Sequence, residues 1–350
     1  MPDLVVAGAG MAGLCAAARA RELGADVVVL EKGDRAGGSM LLSSGFIWRH
    51  RRFDHFRVEC PDGDPELQRQ VFDQLDDALD WLVTLGAPVV ETGTGNPLTC
   101  GGVFDTRGMT DALVRAAGGV QLGEPLRELP GDVPVVLATG GFQGDRDLLR
   151  EHVTPEADHL LLRANPWSAG DGLRLGLAAG AGVSAGMDEF YGRNLPAPPA
   201  LIDESDFVRL SQLYAHFAIV TSTDETFETH TWSEIDVVQW TARQPGARAW
   251  YRVPLESLDE HVRDRTVGEM VAAAEAAGAP VERGPDAVTV EVRAAVTTTV
   301  GGLAVDEQCR ATDGVYAAGA DAGGVMAGGY SSGLAAALVL GRNAAQQALG

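Results

Sequence analysis

The stretch at residues 4–38 constrains the fold most, because it places a glycine-rich turn between two short apolar runs. The first run, residues 4–7, leads into Gly-Ala-Gly-Met-Ala-Gly at residues 8–13. An alanine- and arginine-rich stretch with helical character follows, and a second apolar run at residues 27–30 closes on Glu31. The order is strand, glycine turn, helix, strand and acid, which is the order of a dinucleotide-binding site.

Each glycine of this turn has a distinct expected role. Gly8 allows the tight turn, and Gly10 lets the backbone approach a pyrophosphate. Gly13 lets the helix pack closely on the strand, so that the N–H groups of its first turn point at the phosphates. The carboxylate of Glu31 is then expected to accept hydrogen bonds from ribose hydroxyls. A nicotinamide and a flavin dinucleotide remain alternatives at this point.

The segment directly after Glu31 separates the two alternatives. It reads Lys-Gly-Asp-Arg-Ala-Gly-Gly-Ser at residues 32–39, with a glycine pair followed by a hydroxyl. This pattern resembles the FAD-binding Rossmann flavoproteins, in which the same loop returns to the pyrophosphate. The resemblance implies that the cofactor is FAD.

The next segment makes the resemblance more specific. Residues 39–48 read Ser-Met-Leu-Leu-Ser-Ser-Gly-Phe-Ile-Trp, which is similar to a segment of the fumarate reductase/succinate dehydrogenase flavoprotein superfamily, including its 3-ketosteroid dehydrogenases. In that superfamily the small residues of this segment pass over the isoalloxazine ring, and members that bind FAD covalently carry a histidine here. Residues 38–40 contain no histidine, so the resemblance implies non-covalent FAD.

Later motifs extend the resemblance along the chain. They are Thr-Gly-Gly-Phe at residues 139–142, Gly-Asp-Gly at residues 170–172, a second flavin fingerprint at residues 314–321 and a glycine-rich segment at residues 323–334. The resemblance implies an α/β fold, in which a Rossmann-type, glutathione reductase-like FAD-binding domain carries an inserted α+β capping domain. The expected boundaries are residues 1–184 and 291–350 for the FAD-binding domain and residues 185–290 for the substrate cap. The segment before residue 133 is shorter than the corresponding segment of the superfamily, so the chain resembles a trimmed member of it.

The resemblance also implies a set of cofactor-binding residues. The set comprises the first glycine turn, the acid with its loop, the segment over the ring, the later turns and the start of the last helix: Gly8, Gly10, Met11, Ala12, Gly13, Glu31, Lys32, Gly37, Gly38, Ser39, Ser43, Ser44, Gly45, Leu126, Thr139, Gly140, Gly141, Asp171, Gly319, Asp321, Ser332, Gly333 and Leu334. The N-terminus of the last helix is expected to point its positive dipole end at the flavin.

The catalytic prediction rests on the residues before that last helix. Fumarate reductase-like members grip two carboxylates with histidines and arginines, but Thr298 or Thr299, Met326 and Tyr330 occupy those places here. The segment Tyr-Ser-Ser at residues 330–332 resembles instead the ketosteroid dehydrogenase branch, in which tyrosine and serine face a ketone. Tyr330 and Ser332 are therefore the predicted catalytic residues.

Tyr191 and Arg193, at the predicted entrance to the cap, complete the catalytic prediction. Each has a structural alternative: Tyr191 as a hinge aromatic, and Arg193 as a solvating group on a linker marked by the prolines at residues 196–199. The predicted function is FAD-dependent desaturation, or the reverse ene reduction, beside a carbonyl of a small organic or steroid-like molecule.

Two other functions remain open from the sequence. One is a carboxylate or dicarboxylate oxidoreductase that uses Arg163, Arg193 and the basic residues 49–52. The other is a flavin-binding protein without turnover, because residues 224–230 depart from the superfamily's cap motif, with Thr226 in place of a basic residue and His230 in place of an acid.

Composition limits the partners. The net charge of −22 argues against nucleic acid and anionic membranes as partners. No apolar run reaches the roughly 18–20 residues that a membrane helix needs, and the first strand begins too early for a signal peptide, so a cytoplasmic location is expected. The expected partners are a small-molecule substrate with a carbonyl and an electron acceptor or donor that the sequence does not identify.

Overall fold

The chain forms two compact units. The computed structural model describes residues 1–350. Unit 1 comprises Met1–Asp145, Asn165–Glu189 and Thr298–Gly350, and unit 2 comprises Arg146–Ala164 and Phe190–Thr297. The sequence predicted a cap at residues 185–290, whereas unit 2 also takes in the earlier segment Arg146–Ala164.

The strands are mostly short. In chain order they are β1 (Leu4–Ala7), β2 (Val27–Glu31), β3 (Phe46–His50), β4 (Val89–Thr92), β5 (Thr99–Phe104), β6 (Gln121–Leu122), β7 (Val135–Leu137), β8 (Leu161–Leu162), β9 (Phe190–Pro196), β10 (Ile219–Thr221), β11 (Thr226–Phe227), β12 (Arg248–Pro254), β13 (His261–Val262), β14 (Arg265–Thr266), β15 (Val281–Arg283), β16 (Ala287–Thr299), β17 (Arg310–Thr312) and β18 (Val315–Ala317).

The helices are α1 (Met11–Glu22), α2 (Phe53–Glu59), α3 (Pro65–Thr84), α4 (Thr106–Ala116), α5 (Arg146–His152), α6 (Asp171–Ala178), α7 (Ile235–Arg243), α8 (Val267–Ala276) and α9 (Gly333–Ala348). The glycine-rich segment at residues 323–334 predicts a final helix through residue 340, and α9 continues beyond it to Ala348. No helix combines the length and the apolar character needed to cross a membrane.

Unit 1 is built on a six-stranded sheet with the order β17-β18-β7-β1-β2-β6. The four strands β18, β7, β1 and β2 run parallel to one another, β6 adds a parallel edge beside β2, and β17 pairs antiparallel with β18. The carboxyl ends of β1, β2, β7 and β18 therefore meet at one edge of the sheet. In an open parallel sheet this edge is where a ligand binds.

Helices α1, α3 and α9 pack together in the core of unit 1. Leu14, Leu75 and Leu338 belong to one buried hydrophobic cluster. The approach of α9 to α1 is close enough that a Cβ atom on Gly341 would lie 2.4 Å from the Ala12 carbonyl oxygen. A side chain at position 341 would force the two helices apart, so glycine is required there.

Local signals explain where the long helix α3 begins. Asp64 caps it by accepting hydrogen bonds from the backbone N–H groups of Glu66 and Leu67, each at 2.9 Å. Pro65 occupies the first helical position, where its missing N–H costs nothing and its fixed φ favours the helix. Apolar residues at helical spacing predict a helix over residues 65–85, and the structure confirms it as Pro65–Thr84.

Unit 2 is built on a sheet with the order β11-β10-β12-β16-β15, in which β16 also pairs with β8 and β9. Tyr214, Tyr251 and Val290 lie fully buried in its core. These two tyrosines are thus packing residues. The prolines at residues 196–199, which were interpreted as a linker-like entry, lie at the end of the buried strand β9: Pro196 is its last residue, and residues 198–199 form the turn that follows.

Candidate functional site

The first glycine turn is packed too tightly for side chains. Gly8 has φ +103°, and a Cβ atom there would lie 2.1 Å from the carbonyl oxygen of Ala138, at the end of β7. A Cβ atom on Gly13 would lie 1.9 Å from the carbonyl oxygen of Gly8. Both distances are far below van der Waals contact, so the turn between β1 and α1 depends on glycine at both positions.

Gly10 differs from these two glycines because it faces open space. No atom lies within 4 Å of the position that a Cβ atom would occupy. Gly10 is also the N-cap of α1, which has no side-chain cap and no acidic residue in its first turn. Free N–H groups and the positive end of a helix beside open space suit a pyrophosphate.

The loop after β2 returns to the same turn, as predicted for a flavoprotein. The backbone N–H of Gly37 donates to the Ala9 carbonyl oxygen at 2.7 Å, and a Cβ atom on Gly38 would lie 3.2 Å from the Gly10 Cα. Ser39 accepts a hydrogen bond at 3.0 Å from Asn165, a residue that the sequence prediction did not include. The predicted cofactor-binding residues of this loop therefore lie beside the glycine turn.

Glu31 holds both loops in place. Its buried carboxylate accepts hydrogen bonds from the backbone N–H groups of Ala9, at 2.8 Å, and Gly33, at 2.7 Å. The next residue, Lys32, forms an ion pair at 2.8 Å with Asp171 at the start of α6. The carboxylate is thus fixed at the carboxyl end of β2, with lone pairs left to accept from ribose hydroxyls.

Asp321 is the second acid of the predicted site. It is buried and accepts hydrogen bonds from the backbone N–H and the hydroxyl of Thr139 and from the backbone N–H of Gly141 at 3.0 Å. Burial raises its pKa above the ordinary aspartate value, although these hydrogen bonds oppose the shift. Asp321 therefore joins the ends of β7 and β18. Its role as a cofactor-binding residue remains a prediction.

Tyr330 packs in an aromatic group just before α9. Its ring centroid lies 5.6 Å from that of Trp48, and the Trp48 ring lies 5.3 Å from the ring of His50 in the same strand. Ser332 is the N-cap of α9: its hydroxyl oxygen accepts from the backbone N–H of Ala335 at 3.3 Å and from that of Trp48 at 3.4 Å. Ser332 thus ties β3 to the helix start.

His50 is a member of this group that sequence reasoning missed, because it lies within a run of arginines that was interpreted as a charged patch. It is buried, its Nε2 atom has no hydrogen-bond partner, and burial lowers its pKa to about 4, with a smaller contribution from His55. The imidazole is therefore neutral at physiological pH, and it packs beside Trp48 and Phe56 as a ring.

The His50 side chain should make the stability of the protein depend on pH. The unfolded chain takes up a proton at His50 near pH 6.5, whereas the folded protein resists protonation down to about pH 4. The free energy of unfolding should therefore fall as the pH drops from about 6.5 towards 4. Guanidinium unfolding of wild type and His50→Phe at pH 7 and 5 measures the effect. Equal losses of stability in both proteins would contradict it.

Tyr191 and Arg193 lie together on β9 of unit 2. The guanidinium carbon of Arg193 is 5.1 Å from the centroid of the Tyr191 ring. Arg193 is buried and donates to the carbonyl oxygen of Ser233. The alternative that Arg193 solvates a linker is therefore wrong, because a buried side chain in a strand has no solvating role. Tyr191 is half-buried in the same strand.

The other arginines considered for anion binding have partners of their own. Arg49 and Arg52 form ion pairs with Asp76 and Asp54. In unit 2 the buried side chain of Arg163 donates to the Thr297 hydroxyl at 3.0 Å and to the Phe207 carbonyl oxygen at 3.2 Å. These contacts favour structural roles, since each guanidinium is already held by an acceptor.

The altered cap motif at residues 224–230 forms a local structure around Asp236. Asp236 accepts from the hydroxyls of Thr229 and Thr231, each at 2.7 Å, and from the backbone N–H of His230 at 2.6 Å. These hydrogen bonds hold the loop before α7, so position 230 contributes its backbone to the fold.

The residues of unit 1 fit FAD, because the open space at Gly10, the uncapped start of α1 and the fixed carboxylate of Glu31 meet at the sheet edge where a dinucleotide binds.

Solved structures support the fold. The 3-ketosteroid-Δ4-(5α)-dehydrogenase of Rhodococcus jostii RHA1 is 19% identical with a TM-score of 0.76, covering 100% of this chain and 97% of that one. An open flavocytochrome c3 fumarate reductase is 20% identical with a TM-score of 0.73, covering 100% and 79%.

Sequence comparison gives a curated relative and a family. A vinyl phenol reductase of Lactiplantibacillus plantarum (strain ATCC BAA-793 / NCIMB 8826 / WCFS1) is 24% identical over 243 residues, which are 56% of this chain and 49% of the relative, so the match spans about half of that protein's length. The family model described as "FAD binding domain" matches residues 3–126 and 131–333. The chain therefore belongs to the FAD binding domain family, and its cofactor is FAD.

Proposed function

We propose that this protein introduces or removes a C=C bond next to the carbonyl group of a small organic or steroid-like molecule. The proposal rests on the position of the tyrosine that precedes α9. Tyr330 lies against Trp48, beside the helix start that Ser332 caps, and no arginine or histidine occurs in residues 323–334. A phenol offers a single donor suited to a ketone oxygen, whereas a dicarboxylate calls for cationic, bidentate donors.

The cofactor and the side chains have different roles in the proposed reaction. FAD accepts or donates a hydride at N5 when bound. Desaturation removes a hydride from one carbon and a proton from its neighbour, and ene reduction returns both. In this proposal the hydroxyl of Tyr330 donates to the carbonyl oxygen and stabilises the negative charge that develops there. Tyr191 on β9 is the proposed second proton-handling group, and the buried Arg193 beside its ring holds it in position.

The relatives' names point to the same class of reaction. They include a vinyl phenol reductase, a ketosteroid dehydrogenase and a fumarate reductase, each named for a change at a carbon–carbon bond. The arginines that would favour a dicarboxylate are held by acceptors within their own units, Arg49 by Asp76 and Arg163 by Thr297 and Phe207. Their engagement supports a ketone over a dicarboxylate.

The experiment that tests the proposal follows the flavin spectrum of purified protein without oxygen. Saturated and α,β-unsaturated ketones of increasing size, including steroids, are mixed with the oxidised and the chemically reduced protein. We expect a ketone to bleach the oxidised flavin, or an enone to restore its absorbance from the reduced form. Reaction with fumarate or succinate alone would contradict the proposal.

FAD should be bound without a covalent bond. No histidine occurs at residues 38–40, and the Gly38 backbone lies against the glycine turn. The purified protein should be yellow and should release intact FAD on heat or acid denaturation, measured as flavin absorbance in the filtrate after ultrafiltration. Flavin that remained with the denatured chain would show that a covalent link exists.

A further inference from the structure

Unit 2 contains a cavity of about 260 Å³ that the proposed chemistry does not use. Apolar and aromatic side chains line part of it, among them Phe217, Trp232 and Val262, and the polar residues on its wall include Glu234, His261 and Arg263. Its volume lies just below the roughly 300–1,000 Å³ of pockets for drug-sized ligands. The cavity therefore has room for a molecule with a single ring and a small polar group.

Hydrogen bonds hold the cavity walls together. The backbone N–H of Ala215 donates to the Glu234 carboxylate at 2.9 Å, and the His216 ring nitrogen lies 3.1 Å from the Thr231 carbonyl oxygen. The β13–β14 hairpin forms the remaining wall, and Arg265 on it donates to the carbonyl oxygen of Arg209. The walls are therefore connected, as expected of a ligand site that exists before binding.

The charges of the cavity favour an anionic ligand. Glu234 is buried, burial raises its pKa, and its carboxylate already accepts a hydrogen bond from the Ala215 backbone N–H within the wall. Arg263 occupies the exposed turn of the hairpin with φ +59°, and its guanidinium is a permanent cation. No group of three His, Cys, Asp or Glu side chains in the chain could hold a metal ion.

We propose that this cavity binds a small aryl carboxylate, with the ring against Trp232 and Phe217 and the carboxylate on Arg263. Trp232 is 41% exposed, so part of its indole surface is accessible to a ligand. An apolar ring gains from contact with the aromatic wall, and a guanidinium binds a carboxylate through two parallel hydrogen bonds. The site lies wholly within unit 2 and does not depend on the proposed reaction.

Isothermal calorimetry on the FAD-loaded full chain tests the site with benzoate and its neutral analogue benzamide. We expect benzoate to bind at least about tenfold more tightly than benzamide, because the charge-assisted pair is lost in the amide. Arg263→Gln and Trp232→Leu should each weaken benzoate binding by at least about tenfold. The control is Arg283→Gln, which removes an exposed arginine paired with Glu275 and should leave benzoate affinity unchanged.

The comparison of the two ligands uses wild-type protein alone, so it holds even where a variant fails to fold. Circular dichroism establishes that each variant used is folded. Absence of benzoate binding, equal affinity for benzoate and benzamide, or unchanged affinity in Arg263→Gln would overturn the proposal. Because the readout is heat of binding rather than turnover, the result is independent of whether the protein oxidises ketones.

Discussion

Replacing Tyr330 with phenylalanine is expected to slow the reduction of the flavin by a ketone substrate by roughly 10²–10⁴-fold, the usual contribution of a positioned acid–base group. Only one oxygen is removed, and the ring can keep its contact with Trp48, which lies at 5.6 Å between centroids. FAD content and the melting temperature should therefore stay close to wild type. Stopped-flow absorbance of the flavin, with the ketone identified from the substrate series, measures the rate.

Tyr316→Phe is the matched control for this change. Tyr316 is also in unit 1, and its hydroxyl donates at 3.2 Å to the Gln347 carbonyl oxygen, a contact with no part in the proposed chemistry. This variant should reduce its flavin at the wild-type rate. A Tyr330→Phe variant as fast as Tyr316→Phe would remove Tyr330 from the mechanism. Rapid turnover of fumarate or succinate by wild type would show that the substrate is a dicarboxylate.

Replacing Glu31 with alanine is expected to weaken FAD binding by about 10²–10⁴-fold. This factor corresponds to the loss of two charge-assisted hydrogen bonds to the ribose, at about 1.5–3 kcal/mol each. The structure adds a second cost, because the buried N–H groups of Ala9 and Gly33 lose the carboxylate that accepts from them. Fluorescence titration of the apoprotein with FAD measures the affinity.

Asp34→Ala provides a control for Glu31→Ala. Asp34 is an acid of the same loop, but its side chain is 74% exposed and pairs loosely with Arg35 at 3.7 Å. Its loss should leave FAD affinity within about twofold of wild type, since exposed ion pairs contribute about 0–1 kcal/mol. Wild-type affinity in Glu31→Ala, with the fold intact by circular dichroism, would show that Glu31 does not contact the cofactor.

The sequence by itself determined the part of the fold that depends on neighbouring residues. The run from β1 through α1 to Glu31 could be predicted because its apolar periods, its glycines and its acid all lie within 31 positions. The glycines of the turn carry a local signal as well, since Gly8 requires a positive φ that other residues rarely adopt. The start of α3 was predictable for the same reason, because Asp64 and Pro65 act on the adjacent turn.

Only the tertiary structure decided which distant residues meet. Asp321 accepts hydrogen bonds from Thr139, 182 positions earlier, and the hydroxyl of Ser332 accepts from the Trp48 backbone, 284 positions away. His50 packs in the aromatic group of Tyr330, and Arg146–Ala164 belongs to unit 2. No local sequence pattern indicates either placement. The physical reason is that strand order and helix packing bring these groups together, whereas composition and periodicity report only on residues within a few turns of each other.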